Sequence, residues 1–224
     1  MIKIIIMINS IEELSIKKYR QLIELKREDY EDMEYSMEIL SILSDIPVED
    51  LLELPLDEFT DLMSKTSFLN QTMEKVDYEK LGKTLKINGK EYTLIRKAKD
   101  LTAGQYIDYK SYCARDKFME MLPYIMTVFL IPKGCKYNQG YDIVELANEF
   151  DEHMNIPLAL GISDFFLHQS RKQMMASVLC SKLKIQRMMK KEKNKEMKMK
   201  LQDCLEQMDS LWSLLKLSDG FIQQ

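Results

Sequence analysis

Residues 181–200 hold nine cationic side chains: Lys182, Lys184, Arg187, Lys190, Lys191, Lys193, Lys195, Lys198 and Lys200. Only Glu192 and Glu196 oppose them. The stretch carries +7, so a chain total of −4 leaves −11 for the remainder. Cations at this density bind phosphate oxygens without any motif, with steep salt dependence. They also draw a helix onto an acidic protein surface. No aromatic residue interleaves them, although single-strand binders stack bases on such residues. Three readings stay open: a solvated or partner-facing helix surface, contact with an acidic protein, and contact with DNA or RNA.

Other reactive side chains are sparse. His153 and His168 are the two histidines, and neither has a second His or Cys at ligand spacing. Asp151-Glu152-His153 has the donor types of a carboxylate-rich metal site, but the same triplet reads as an exposed polar helix end. Cys113, Cys135, Cys180 and Cys204 lie too far apart for a CxxC pair and read as free thiols of a reducing compartment. Glycines never cluster, so there is no phosphate-cradling loop, and no GxSxG is present. Adjacent acids recur at Glu12-Glu13, Glu28-Asp29, Glu31-Asp32, Glu49-Asp50 and Asp57-Glu58, as expected of solvated helix faces in an acid-rich chain. The sequence therefore predicts a non-catalytic protein with no catalytic residue, cofactor or metal.

The elements that would position the cations are mostly helical. Seven Gly and five Pro in 224 residues are too few for a many-turned β fold, and 17 Met suit adaptable packing. No apolar run reaches the roughly 18 residues of a membrane span. Met1–Met7 reads as a strand. The clearest local signal runs from Thr84 to Tyr112. Leu85-Lys86-Ile87 and Tyr92-Thr93-Leu94-Ile95 flank Asn88-Gly89, a type I′ hairpin signature. Thr102 and Gln105 then form a capping box that opens a helix. The expected fold is mainly α with one small antiparallel β element, a hairpin near 84–96, which strand 2–7 would join.

Further helices are expected from Ser15, over Met33–Leu43, Pro47–Glu53 and Leu56–Ser64 (apolar face Leu56, Phe59, Leu62 and Met63), and over Phe118–Leu130 and Tyr141–Met154. A long helix over Leu158–Arg187 is expected to bury Phe165, Phe166, Leu167, Met174, Met175, Val178 and Leu179. After it comes either continuation or a helical hairpin turning near Lys193-Asn194. Leu14-Ser15-x-x-Lys18-Tyr19 matches Leu101-Thr102-x-x-Gln105-Tyr106 in spacing, and each unit later reaches an Ile-Pro. The spacing predicts a degenerate duplication, 2–82 and 83–160, within a helical body 1–170. Residues 171–224 are expected to form a separate C-terminal element, a long helix or a helical hairpin, basic at 181–200.

Several short motifs also carry a resemblance. They are Leu14-Ser15-x-x-Lys18-Tyr19, Glu38–Leu43 before Ile46-Pro47, Leu54–Phe59, Ile87-Asn88-Gly89-Lys90-Glu91-Tyr92 and Leu101–Asp108. Over about residues 10–168 the chain resembles small proteins encoded among the structural genes of tailed phages, including crAss-like phages of gut bacteria. In outline it is similar to baseplate and tail assembly proteins. The resemblance transfers no catalytic residue. It implies a non-enzymatic virion component (tail, portal-vertex or packaged cargo) in the virion, or in the host cytoplasm during assembly. Its partners would be other phage structural proteins or further copies of itself, with no membrane. The alternatives are a transient tail or baseplate assembly chaperone, and a nucleic-acid-binding protein using 181–200.

Overall fold

The computed structural model describes residues 7–74 and 76–217, with side chains at all of these except 171, 173 and 211–217. In chain order the elements are α1 (Ile16–Glu24), α2 (Asp32–Ser44), α3 (Val48–Leu52), α4 (Leu56–Lys65), β1 (Thr84–Ile87), β2 (Lys90–Leu94), α5 (Ala103–Cys113), α6 (Phe118–Phe129), β3 (Leu130–Pro132), α7 (Ile143–His153), α8 (Ile156–Lys191) and α9 (Lys195–Leu217). Mainly helical structure with a small antiparallel sheet is therefore the observed class. The chain divides into two compact units, Met1–Phe165 and Phe166–Gln224. The sequence reading put that boundary at 170/171.

The sheet has the order β1-β2-β3, all antiparallel. Asn88 (φ 47°) and Gly89 (φ 76°) make the tight turn between β1 and β2, with Ile87 paired to Lys90. Two successive positive φ values are what the Asn-Gly pair tolerates. β3 was not foreseen. The helix predicted to end at Leu130 ends at Phe129, and Leu130–Pro132 pairs with β2 instead. Pro132 drives this: the residue before a proline is pushed to extended geometry, and proline itself tolerates a sheet edge. The strand expected over residues 2–7 falls almost wholly outside the described residues.

α6 is the core helix of the first unit. Leu122, Ile125, Met126, Val128 and Phe129 are fully buried, and α5, α7, α1 and β3 pack around it. Gln105 joins capping to packing. Its Oε1 accepts from the Thr102 N–H at 3.0 Å, and its Nε2 donates to the Val128 carbonyl at 2.8 Å. The capping-box residue is thus buried and ties the start of α5 to α6. Tyr109 meets Phe129 edge-on at 5.3 Å, and Tyr92 meets Phe150 likewise at 5.0 Å.

The two aligned Ile-Pro positions differ in form. After Ile46, Pro47 caps α3 following the left-handed turn at Asp45 (φ 55°), whereas Pro132 lies in β3. Two predicted apolar faces need correction. In α4 Leu62 is buried but Leu56 is 76% exposed. In α8 Phe166 and Val178 are buried, while Leu167, Met174 and Leu179 face solvent. Their spacing is helical, but no described element covers that side.

The N-terminal part of α8 passes very close to the chain before β1. A Cβ on Gly161 would lie 2.9 Å from Val76 Cβ. Tyr78 stacks on Phe165 at 3.8 Å and donates to the Ile95 carbonyl at 2.6 Å, which holds that segment in place. We expect Gly161→Ala to lower stability by about 1 kcal/mol, because overpacking outweighs the gain in helix propensity. In a Val76→Gly background the same change should raise stability; urea denaturation showing a gain in the native background would contradict the close approach. Gln105→Glu is expected to cost roughly 3 kcal/mol, since it sets a buried carboxylate against the Val128 carbonyl. An unchanged denaturation midpoint would refute that tie.

Candidate functional site

The second unit contains a helical hairpin. α8 ends at Lys191 and α9 starts at Lys195. Glu192 accepts from the Lys193 and Asn194 N–H groups at 2.9 and 2.8 Å, and Asn194 caps α9 by accepting from Glu196 N–H at 2.9 Å. Lys182 on α8 pairs with Asp209 on α9. The chain therefore reverses near Lys193-Asn194, one of the two forms the sequence allowed. Val178, Lys182, Ile185 and Met189 on α8 are the more covered positions, as are Leu201, Leu205 and Met208 on α9. Steps of three and four residues are those of a coiled-coil seam.

The nine candidate cations separate by place. Lys182 lies on the seam, with its side chain only 19% exposed. Lys200 pairs with Glu196 one turn back at 2.8 Å. Lys184, Arg187, Lys190, Lys191, Lys193, Lys195 and Lys198 are exposed around the turn, with no ion pair to a described residue. Beside them α8 exposes Leu179 (46%), Leu183 (46%) and Met188 (48%), and α9 exposes Met197 and Met199. The surface is thus mixed: Leu179 and Leu183 make a short apolar stripe one turn long beside Arg187 and Lys190, while Met188 lies on the opposite flank of α8. Such a stripe gains by burial against protein, whereas phosphate contact needs the charges alone.

Asp151, Glu152 and His153 sit elsewhere. They line an open groove of about 490 Å³ with Lys17, Asn88, Lys90, Asn148 and Glu149. Its charges are internally matched: Arg20 to Asp151 at 2.7 Å, Lys90 to Glu149 at 2.6 Å and Lys17 to Glu152 at 3.1 Å. Glu149 turns toward the β hairpin and Asp151 toward α1, so the carboxylates do not converge. Among the described residues no three His, Cys, Asp or Glu side chains come together to hold an ion. Burial pushes the Asp151 carboxyl up, and Arg20 opposes this by charge and hydrogen bonding. The groove is therefore a clamp joining α7 to α1 and to the hairpin turn.

The four cysteines are free thiols. Burial raises the Cys113 thiol, opposite to the direction of an activated nucleophile. Among the described residues no helix is long and apolar enough to cross a membrane.

Reading carboxylates in pairs missed a larger feature. From Glu28 to Ser64 there are thirteen Asp or Glu and no Lys, Arg or His. The signal is the missing cations, visible in the sequence once charge is summed over α2 to α4. There Leu52 is 62% exposed, beside exposed Glu49, Glu53 and Asp57.

No protein family, curated protein or solved structure matches the chain.

The clamp yields a pH-dependent expectation. Asp151 binds its proton more readily folded than unfolded, so its burial favours the folded state at low pH and costs stability as pH rises through its raised pKa. Arg20 offsets that cost when the carboxylate is charged. Arg20→Met should thus destabilise by about 1–3 kcal/mol at neutral pH, and by less in mild acid where Asp151 is protonated. A penalty that does not shrink on acidification in denaturant titrations would show that Arg20 acts only by packing.

Proposed function

We propose that the chain is a non-enzymatic bacteriophage virion component, or a factor that assembles one, and that it works by protein–protein contact through the helical hairpin. One observation carries the contact reading: Leu179 and Leu183 are uncovered one turn apart on α8, beside Lys184, Arg187 and Lys190, which have no ion pair to a described residue. An apolar stripe flanked by charge gains affinity from burial and takes its orientation from the charges. The virion assignment rests on the motif resemblance over about residues 10–168.

The nucleic-acid reading is favoured by the seven exposed cations around the turn. Two features weigh against it. No Phe, Tyr or Trp occurs from Leu167 to Ser210, and the exposed Leu and Met have no role in phosphate binding.

Paired variants separate the two readings. Leu179→Ser with Leu183→Ser is expected to abolish co-purification with the phage structural proteins produced alongside the chain, and to leave retention on heparin or DNA columns unchanged. Lys190→Gln with Lys191→Gln should weaken both. If the leucine variant keeps every protein contact and only the lysine variant loses function, the nucleic-acid reading replaces this one. Mass spectrometry of purified particles then divides residents from assembly factors: the chain is present in the first case and absent from mature particles in the second.

A further inference from the structure

We infer that the basic hairpin of one copy docks on the acidic α2–α4 face of a second copy, making a head-to-tail contact. The inference rests on the reading of the chain as a contact protein, and it names the partner and both surfaces.

The first surface is the outward side of α8. Leu179 and Leu183 are one turn apart and exposed, and Lys184, Arg187, Lys190 and Lys191 continue the same open surface toward the turn. Residues 181–200 sum to +7.

The second surface lies in the first unit, where α3 and α4 pack against α2. Leu52 closes α3 and Leu56 opens α4, 62% and 76% exposed on either side of the connection. Glu49, Glu53 and Asp57 surround them, exposed and with no ion pair to a described residue. Some acids here have local duties. Glu49 and Asp57 lie in the first turns of α3 and α4, where the helix dipole favours them. Asp32, Asp45 and Asp61 pair with Arg27, Lys18 and Lys65. These duties leave Glu53 and both leucines unexplained, and they leave a run of 37 residues at −13 without an internal counter-charge.

Each surface thus has what the other lacks: two exposed leucines with cations, and two exposed leucines with carboxylates. The like charges within each patch keep identical patches apart, which disfavours a symmetric contact between two hairpins or two acidic faces. Unlike patches at different places on one chain give a heterologous contact. Repeated, it closes into a ring or extends as a filament, a form of association suited to a particle component. Charge sets the encounter and leucine burial holds it, so the affinity should fall with salt.

Sedimentation velocity of the full chain tests this. At low salt the average mass should rise with concentration above the 26.5 kDa of one chain, and it should return to that value at high salt. Glu49→Lys/Glu53→Lys/Asp57→Lys reverses one face, and Arg187→Glu/Lys190→Glu/Lys191→Glu reverses the other. Each triple variant alone should associate at least about tenfold more weakly. An equal mixture of the two, or all six changes in one chain, should restore association, a gain that a misfolded variant would not produce. A wild-type chain that stays monomeric at low salt overturns the contact. So do triple variants that associate normally, a mixture that stays monomeric, or association that appears only when DNA or RNA is added. A monomeric result would leave contact with other particle proteins standing, because particle composition tests that separately.

Discussion

The first unit depends on a short backbone bridge between segments about 140 residues apart. Ile16 N–H donates to the Met154 carbonyl at 3.1 Å, and Ile156 N–H donates to the Leu14 carbonyl at 2.8 Å. The two bonds join the start of α1 to the junction of α7 and α8. They are too weak to act alone. Two such bonds contribute about 2 kcal/mol net, while closing a loop of about 140 residues costs roughly 4 kcal/mol in chain entropy. Burial makes up the difference: Leu14, Ile16, Met154 and Ile156 are each at most 1% exposed, and full burial of such side chains stabilises by about 1.5–3 kcal/mol apiece. The ion pairs of Arg20 and Lys17 flank the bridge and set the rotation of α7. Groups that could have formed a metal or acid–base site are thereby used as fasteners.

Several polar side chains of the first unit tie its segments together: Gln105 between α5 and α6, Tyr78 on Ile95, and Tyr137 on Asp108 at 2.7 Å. The open cations and uncovered leucines of α8 lie in one unit, and the acid-only α2–α4 face lies in the other. Both combine apolar side chains with a single sign of charge, which gives a contact orientation and specificity.

Much of this was legible from the residues, and the failures share one cause. Asn88-Gly89 identified the hairpin because the constraint is local to two φ angles. Thr102 with Gln105 marked the start of α5, and Ser15 the start of α1, because caps are local too. β3 was missed because Leu130 and Ile131 complete an apolar helical pattern, and only their pairing with Thr93 and Leu94 shows otherwise. Leu56, Leu167 and Leu179 were expected in the core because helical periodicity marks an apolar face without saying what covers it. The basic segment was apparent from composition, but its division into a seam residue (Lys182) and a tip required the turn at Glu192–Asn194. The acidic run escaped notice because adjacent carboxylates were weighed pair by pair.

The central claim is that the outward face of α8 contacts protein. Its most direct test is a photo-activatable side chain at position 183, in the full chain, irradiated during particle assembly and read by mass spectrometry. The account expects adducts to protein, concentrated on an acid-rich helical surface, and their loss when Leu179 is also changed to Ser. Adducts to nucleic acid, or to water alone, would contradict it.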